Sequence, residues 1–373
     1  MTRLTLICLF LLISLLSVFK APAYYLWLLA IGVTEFPLIF AGIVLILLIS
    51  GFWVQKHQLA GTIIGIAALL LYLSPIVRAG IIAKTLKQEL SAALGPVSNE
   101  PPFSFSKLFS TNKNTVSPHI LTYVTYSDTT LTLDYYASQV PGKRPCVIVV
   151  HGGSWSSGDS RQLPELNSYL AKTGYNLAAI NYRLAPKYKN PAPVEDVKKA
   201  LAYLHHHSGE LNIDTNNFVL LGRSAGAQIA LLAAYTLQDK SIKGVIDLYG
   251  PADMVWGYAA PSNPLVMDSR RVMEQYLGGT YQQVLQNYKA SSPIEYVSQQ
   301  TIPTLIIHGR NDVLVAYEHS RRLNQKLQQN NIKHYWLQLP WATHGFDYNL
   351  NGPGRLCQSP KLQVFPHLSD SRE

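Results

Sequence analysis

The amino-terminal stretch constrains this chain before anything else: from Leu4 to Ile82 only Lys20, Glu35, Lys56 and Arg78 carry charge. A helix needs about 20 apolar residues to cross a hydrocarbon core. Phe36 to Val54 and Leu59 to Val77 come close to that length and are expected to be transmembrane helices. Leu4 to Phe19 is shorter, is preceded by Arg3 and is followed by Ala21-Pro22-Ala23. That pattern fits a cleaved signal peptide and an uncleaved first span equally. Tyr24, Tyr25 and Trp27 read as interfacial aromatics at the headgroup level. The competing reading, a buried helical core in a soluble protein, is disfavoured by two adjacent runs of near-spanning length. Three spans would put Arg3 and Lys56 on one side and Lys20, Arg78, Lys84 and Lys87 on the other, which favours a cytoplasmic carboxyl-terminal region. Two spans would leave both ends outside.

Composition narrows the rest. Only 14% of the 373 residues are charged and 48% are hydrophobic, against about 25% charged in ordinary soluble domains. A disordered or collagen-like chain is excluded. The net charge of +9 comes with no basic block that would track phosphates, so no nucleic-acid partner is expected and the charge reads as a solubility and membrane-surface feature. Cys8, Cys146 and Cys357 lie far apart, which suggests neither a disulfide framework nor a thiolate metal site. Ser, Pro and Asn crowd the stretch from Ser91 to Ser117. The expected layout is a membrane region over 1–90 with two or three spans, a linker over 91–118, one large domain over 119–350 and a loose tail over 351–373.

Within that domain, Ile120 to Tyr126 and Leu131 to Ala137 alternate around Ser127-Asp128-Thr129-Thr130, as a β-hairpin does. Continuous apolar runs follow at Cys146 to Val150, Leu177 to Asn181, Phe218 to Leu221, Val245 to Leu248, Thr304 to His308 and Tyr335 to Leu339. Such runs are strands buried on both faces of a parallel sheet. Helical patterns lie between them at Leu163 to Thr173, Val194 to His206, Ala225 to Leu237 and Tyr317 to Gln329. The fold class is therefore α/β, a mostly parallel central sheet with helices on both faces, preceded by transmembrane helices.

Gly222-Arg223-Ser224-Ala225-Gly226 follows one such strand and opens a helix, the setting a G-x-S-x-G nucleophile elbow requires. A sharp turn there lifts the serine to the end of the sheet, and the glycines let strand and helix approach. Upstream, His151-Gly152-Gly153-Ser154-Trp155 follows the strand ending at Val150, where a glycine turn aims N–H groups at a developing oxyanion. The expected donors are Gly153, Ser154 and Ala225. A serine needs a base, and the base an orienting acid. Asp312 and His344 arrive in the order Ser, Asp, His, each in a loop after a strand. Asp247 and Asp253 compete for the acid, but Asp247 lies within an apolar strand and Asp253 has the position of a helix cap. His205-His206-His207 closes a helix and reads as a dipole partner rather than a metal site, and His308 as structural. Asp196 is by itself no more than a helix-start acid. No metal or cofactor is expected.

Together these motifs, with Asn181-Tyr182-Arg183-Leu184-Ala185-Pro186, Pro191 to Asp196 and Ser292-Pro293, resemble the α/β-hydrolase fold. The resemblance covers about Ile120 to Phe346 and is to the esterase and lipase branch, hormone-sensitive-lipase-like and feruloyl-esterase-like. It implies Ser224 as nucleophile, His344 as base and Asp312 as its orienter, with Gly153, Ser154 and Ala225 as oxyanion donors. It implies supporting roles for His151, Gly152 and Asp196, the last tying the Tyr182-Arg183 loop to the floor of the site. Arg223, Ser154 and Ala227 depart from the family's usual residues, and membrane helices stand where many members have a soluble amino-terminal cap.

The expected function is a membrane-anchored serine hydrolase that cleaves carboxylic esters through an acyl-enzyme, its partners a small-molecule or lipid ester and a membrane. A formamidase, a prenylcysteine methylesterase or an acyltransferase would use the same triad. A non-catalytic membrane interaction protein on a hydrolase fold is the rival of another class. Pro251 to Gly279, with Trp256, Tyr258 and Tyr276, is expected to roof the pocket, its aromatics either binding substrate or packing.

Overall fold

The computed structural model describes residues 2–54, 56–97, 102–109 and 115–354. Cys357 and most of the expected tail lie outside the described residues, as do parts of the expected linker.

The sheet is assembled from β1 (His119–Thr125), β2 (Thr130–Tyr136), β3 (Arg144–Val150), β4 (Asn176–Ile180), β5 (Ile213–Arg223), β6 (Ile242–Leu248), β7 (Thr304–Gly309) and β8 (His334–Leu339). Their order across the sheet is β1-β2-β4-β3-β5-β6-β7-β8. Only the β1–β2 and β2–β4 pairs are antiparallel; the pairs from β4 through β8 are parallel. Strand β3 shows why an uninterrupted apolar run was required. Cys146, Ile148 and Val150 enter one core while Val147 and Val149 enter the other, so each residue of the run is buried by a different layer.

The first core is closed by α6 (Ala192–His206), α7 (Ala225–Thr236) and α11 (Glu318–Gln329), the second by α5 (Pro164–Lys172) and the end of α4 (Gln58–Leu94). Three short helices, α8 (Met254–Ala259), α9 (Ser269–Leu277) and α10 (Leu285–Ala290), fill the β6–β7 crossover. The amino-terminal helices α1 (Thr2–Ser14), α2 (Tyr24–Glu35) and α3 (Pro37–Ile49) complete the chain with α4. Within the sheet domain each expected strand and helix is present, with ends shifted by at most two residues except for β6, which begins three residues earlier at Ile242, and β5, which begins at Ile213 by pairing with Arg144.

The apolar amino terminus differs from expectation. Leu59 to Val77 is only the first half of α4, a helix of 37 residues and the one described helix long and apolar enough by itself to cross a membrane. Phe36 to Val54 does not form one span: α3 stops at Ile49, and it meets α2 at a bend of 85°, so a second span exists only if that bent pair is counted as one. Pro37 forces the break, since it supplies no N–H to continue the preceding helix. The run from Leu4 to Phe19 is a 13-residue helix and a short 3-10 turn. The three-span count that placed the carboxyl-terminal region therefore loses its basis. Nor does the linker separate two bodies where it was expected. Ala79, Leu86, Leu90 and Leu94 of α4 are already buried in the sheet's second core, and Tyr335 on β8 donates to Glu89 Oε2 at 2.6 Å.

Candidate active site

Strand β5 delivers Ser224 into a conformation that few residues tolerate, φ 53° and ψ −122°, and α7 starts at the next residue. The turn is held by the Ser224 N–H, which donates to Leu248 O at 2.9 Å. Its glycines are obligatory. A Cβ on Gly226 would lie 2.2 Å from His151 O, and one on Gly222 would lie 2.3 Å from Gly226 O. The close approach of β3, β5 and α7 is what places the two glycine motifs side by side.

Ser224 Oγ lies 3.0 Å from His344 Nε2, and His344 Nδ1 lies 2.7 Å from Asp312 Oδ2. The acid is fully enclosed. Its Oδ1 accepts the Leu314 and Val315 N–H groups, both at 2.9 Å, while Oδ2 also meets His308 Nε2 at 3.1 Å. Burial by itself would raise the Asp312 carboxyl, but the pull of His344 and the hydrogen bonds from His308 and His344 outweigh it and hold the acid well below the usual carboxylate range. The competing acids are occupied elsewhere. Asp253 caps α8 through the Trp256 N–H and pairs with Arg322 at 2.9 Å. Asp247 is buried, accepts from the Gly250 N–H, and is pushed up to about 7 by burial.

The loop after β3 faces the same point. Gly153, Ser154 and Trp155 all have positive φ, and Gly153 admits no side chain, since a Cβ would sit 2.0 Å from Ser157 O. The Gly152 N–H is taken by Gln162 Oε1 at 2.7 Å. Two cavities meet at Ser224. Both are mostly apolar, and one of about 50 Å³ is lined by Ser154, Ala225, Met267, Val272, Met273 and Leu314 among others. The other, of about 150 Å³, is lined by Gly152, Gly153, Ser154, Gln162, His344, Tyr348 and Trp27.

Supporting side chains are fixed from behind. Asp196, fully buried, accepts from the Arg183 N–H at 2.8 Å, from Arg183 Nε at 2.9 Å and from Tyr126 OH at 2.7 Å. The neighbouring Tyr182 stacks on His151 at 4.3 Å and donates to His151 O. Burial lowers the His151 pKa, and its Nδ1 stays 2.7 Å from Gly152 O. Trp155 lies flat on Tyr276 at 4.6 Å and donates to Gln228 Oε1, so the segment from Pro251 to Gly279 does cover the pocket, but Tyr276 serves packing. Trp256 likewise packs edge-on against His319. The rings of His205 and His207 are drawn apart, to Ser241 Oγ and Glu210 Oε2.

Residues 133–327 match the family profile of BD-FAE. The chain belongs to the BD-FAE family. Among curated relatives it is 30% identical over 221 residues to the "Probable carboxylic ester hydrolase LipM" of Mycobacterium tuberculosis, covering 55% of this chain and 50% of that protein. It is also 30% identical over 227 residues to "Esterase LipQ" of the same organism, covering 56% and 52%. The chain thus spans about half the length of the curated relatives it matches. The hyperthermophilic esterase from the archeon Pyrobaculum calidifontis superposes with a TM-score of 0.60 at 20% identity, over 79% of this chain and 99% of that one. The acetyl ester-xyloside bifunctional hydrolase from Caldicellulosiruptor lactoaceticus gives 0.55 at 21%, over 66% and 96%. At these identities the likeness shows the α/β-hydrolase fold.

For this BD-FAE family member, several residues at the site have partners that the sequence did not reveal. His308, read from sequence as structural, holds the far side of the acid while its Nδ1 meets Ser320 Oγ at 2.7 Å. Tyr249, at positive φ, packs its ring 4.4 Å from His344. Its hydroxyl donates to Asp347, which also pairs with the buried Arg223 Nε at 2.7 Å. The departure at Arg223 thereby finds its partner, a buried carboxylate three residues beyond His344, while the residue still lines the larger cavity. Gln162 gave no signal beyond lying in the loop after the glycines. Trp27 gave the wrong one: it is buried rather than interfacial, and its Nε1 donates to His344 O at 3.0 Å.

Proposed function

We propose that this protein is a membrane-anchored carboxylic ester hydrolase working through an acyl-enzyme. The observation that carries the reading is the Ser224–His344–Asp312 array, with spacings of 3.0 and 2.7 Å, set on a strained strand-to-helix turn. Ser224 Oγ attacks the ester carbonyl carbon while its proton passes to His344 Nε2. The oxyanion is received by the N–H groups of Gly153, Ser154 and Ala225. As the carbon–oxygen bond to the alcohol breaks, His344 returns the proton to the leaving oxygen. Water then repeats the sequence on the acyl-Ser224 ester and frees the acid. Asp312 keeps the proton of the resting imidazole on Nδ1 and stabilises the imidazolium. The relatives named carboxylic ester hydrolase and esterase support the reaction class.

The anchor is read from exposed side chains. Leu9 and Leu12 on α1, Ile39 and Ile46 on α3, and Leu59, Ile63 and Leu70 on α4 form an apolar surface far beyond what a soluble monomer presents. A bilayer would cover it, and the substrates met there are lipid-like or acylated esters, apolar in the acyl or in the alcohol half.

The test is hydrolysis of acetate and longer-chain esters by the detergent-solubilised full chain, compared with Ser224→Ala. Loss of turnover and of phosphonate labelling in the variant, with an unchanged melting temperature, is expected. An active Ser224→Ala protein would overturn the reaction; full release from membranes by alkaline carbonate would overturn the anchor.

A further inference from the structure

The amino-terminal helices do more at this site than hold it near a surface. Helix α2 lies across the loops that carry the array and is fastened along its length. The Tyr24 N–H donates to Leu265 O at 3.0 Å and Asn263 Nδ2 to Pro22 O at 3.0 Å. Midway, Trp27 Nε1 donates to the carbonyl of His344 itself. At its end, Glu35 O accepts from Asn349 Nδ2 and Glu35 Oε2 from the Gly354 N–H at 3.0 Å. The contacts of Trp27 and Glu35 each bridge more than 300 residues of sequence and converge on the segment that presents the imidazole.

Chemistry assigns the two cavities that meet at Ser224. The leaving oxygen must take its proton from His344 Nε2, so the alcohol half of the ester departs on the imidazole side. That side is the cavity of about 150 Å³ that Trp27, His344 and Tyr348 line. The acyl group is left with the apolar cavity of about 50 Å³, between Ala225, Met267 and Met273, which His344 does not line. A cavity near 150 Å³ is the size that accepts a benzene ring, and it offers about three times the space of the acyl side.

We propose, resting on the ester-hydrolase reading above, that the protein takes short-chain acyl esters, acetyl or propionyl, of a ring-sized apolar alcohol, and that Trp27 is a specificity and positioning residue for the alcohol half. Trp27 is part of the wall of the alcohol cavity. The indole N–H fixes the backbone of His344 and with it the alignment of Nε2 on Ser224.

These two roles separate in kinetics. The full-length protein in detergent is assayed on methyl acetate, benzyl acetate and benzyl octanoate, as wild type, Trp27→Phe and Trp27→Ala. Wild type is expected to turn over benzyl acetate and to lose at least about tenfold in kcat/KM on benzyl octanoate. Trp27→Phe keeps a ring but loses the N–H; kcat is expected to fall about five- to tenfold on both acetates with KM for benzyl acetate unchanged. Trp27→Ala loses the wall as well, so KM rises about tenfold for benzyl acetate and less than about twofold for methyl acetate. The rate of phosphonate labelling of Ser224 falls with kcat in both. Equal losses on the two acetates with no split between KM and kcat would reduce Trp27 to packing and overturn the inference, as would wild-type kinetics in Trp27→Phe or a preference for the octanoate. A wild type that hydrolyses none of the esters and is not labelled at Ser224 would instead bring down the ester-hydrolase reading itself.

Discussion

Replacing Asp312 by asparagine removes one charge and no volume, and the surrounding hydrogen bonds dictate how the site responds. Oδ1 accepts two backbone N–H groups, from Leu314 and Val315, so the amide oxygen of the new side chain has to take that position. The amide NH₂ is then forced toward His344 Nδ1 and His308 Nε2, which lie 2.7 and 3.1 Å from the present Oδ2. His308 cannot yield, because its Nε2 already faces the Val315 carbonyl at 3.1 Å and must carry a proton there. His344 therefore accepts at Nδ1 and carries its proton on Nε2, where it opposes the Ser224 hydroxyl instead of receiving from it. The imidazolium also loses the adjacent negative charge. Wrong-tautomer variants of such arrays lose about 10³- to 10⁴-fold in kcat, or about 4–5 kcal/mol of transition-state stabilisation. The assay is steady-state hydrolysis of a chromogenic acetate ester at neutral pH, with KM expected within about threefold of wild type since the acid touches no substrate. A folded Asp312→Asn protein retaining more than about a tenth of wild-type kcat would refute the reasoning.

Two further outcomes concern the same neighbourhood. Gly153→Ala places a Cβ against Ser157 O at a φ of 123°, so the loop must move; kcat on the acetate ester is expected to fall at least about 100-fold while Ser224 and His344 keep their contact, read as a persistent pH profile. Asp247 has its folded pKa raised to about 7 from an unfolded value near 3.8, so its contribution to stability is complete below the unfolded pKa and is lost as pH rises from about 4 through 7. Asp247→Asn should flatten the decline of the unfolding free energy over that window by up to about 4 kcal/mol, read by denaturant titration at several pH values; an unchanged slope would show the carboxyl to be ionised at no cost.

How much of this was legible differs from one part of the chain to another. Strand β3 was visible because a run buried on both faces leaves no polar position, and Ser224 because few sequences place glycines around a serine between a strand and a helix. Asp312 and His344 were visible from loop order alone. His308 was legible as structural but its partner was not, since a buried histidine beside an acid has the same sequence appearance as one beside any other partner. Trp27 was misread for a deeper reason: hydropathy reports that a segment avoids water and says nothing about whether it meets lipid or protein. The buried Arg223–Asp347 pair escaped for want of any local pattern linking residues so far apart. The boundary after residue 90 was placed by composition, whereas the helix ignores the change and continues to Leu94.

That continuity of α4 has a practical consequence for producing the protein. Cutting at the apparent boundary near Ser91 would discard Leu86 and Leu90, which plug the sheet's second core, and would remove the Trp27 hydrogen bond to the His344 carbonyl. The resulting fragment would expose a greasy trench along the sheet and present a widened, wetter active site. Its substrate preferences would then describe the fragment alone. A soluble version that keeps the native site would need the inner faces of α2 and α4 retained and only their outward leucines and isoleucines exchanged for polar residues.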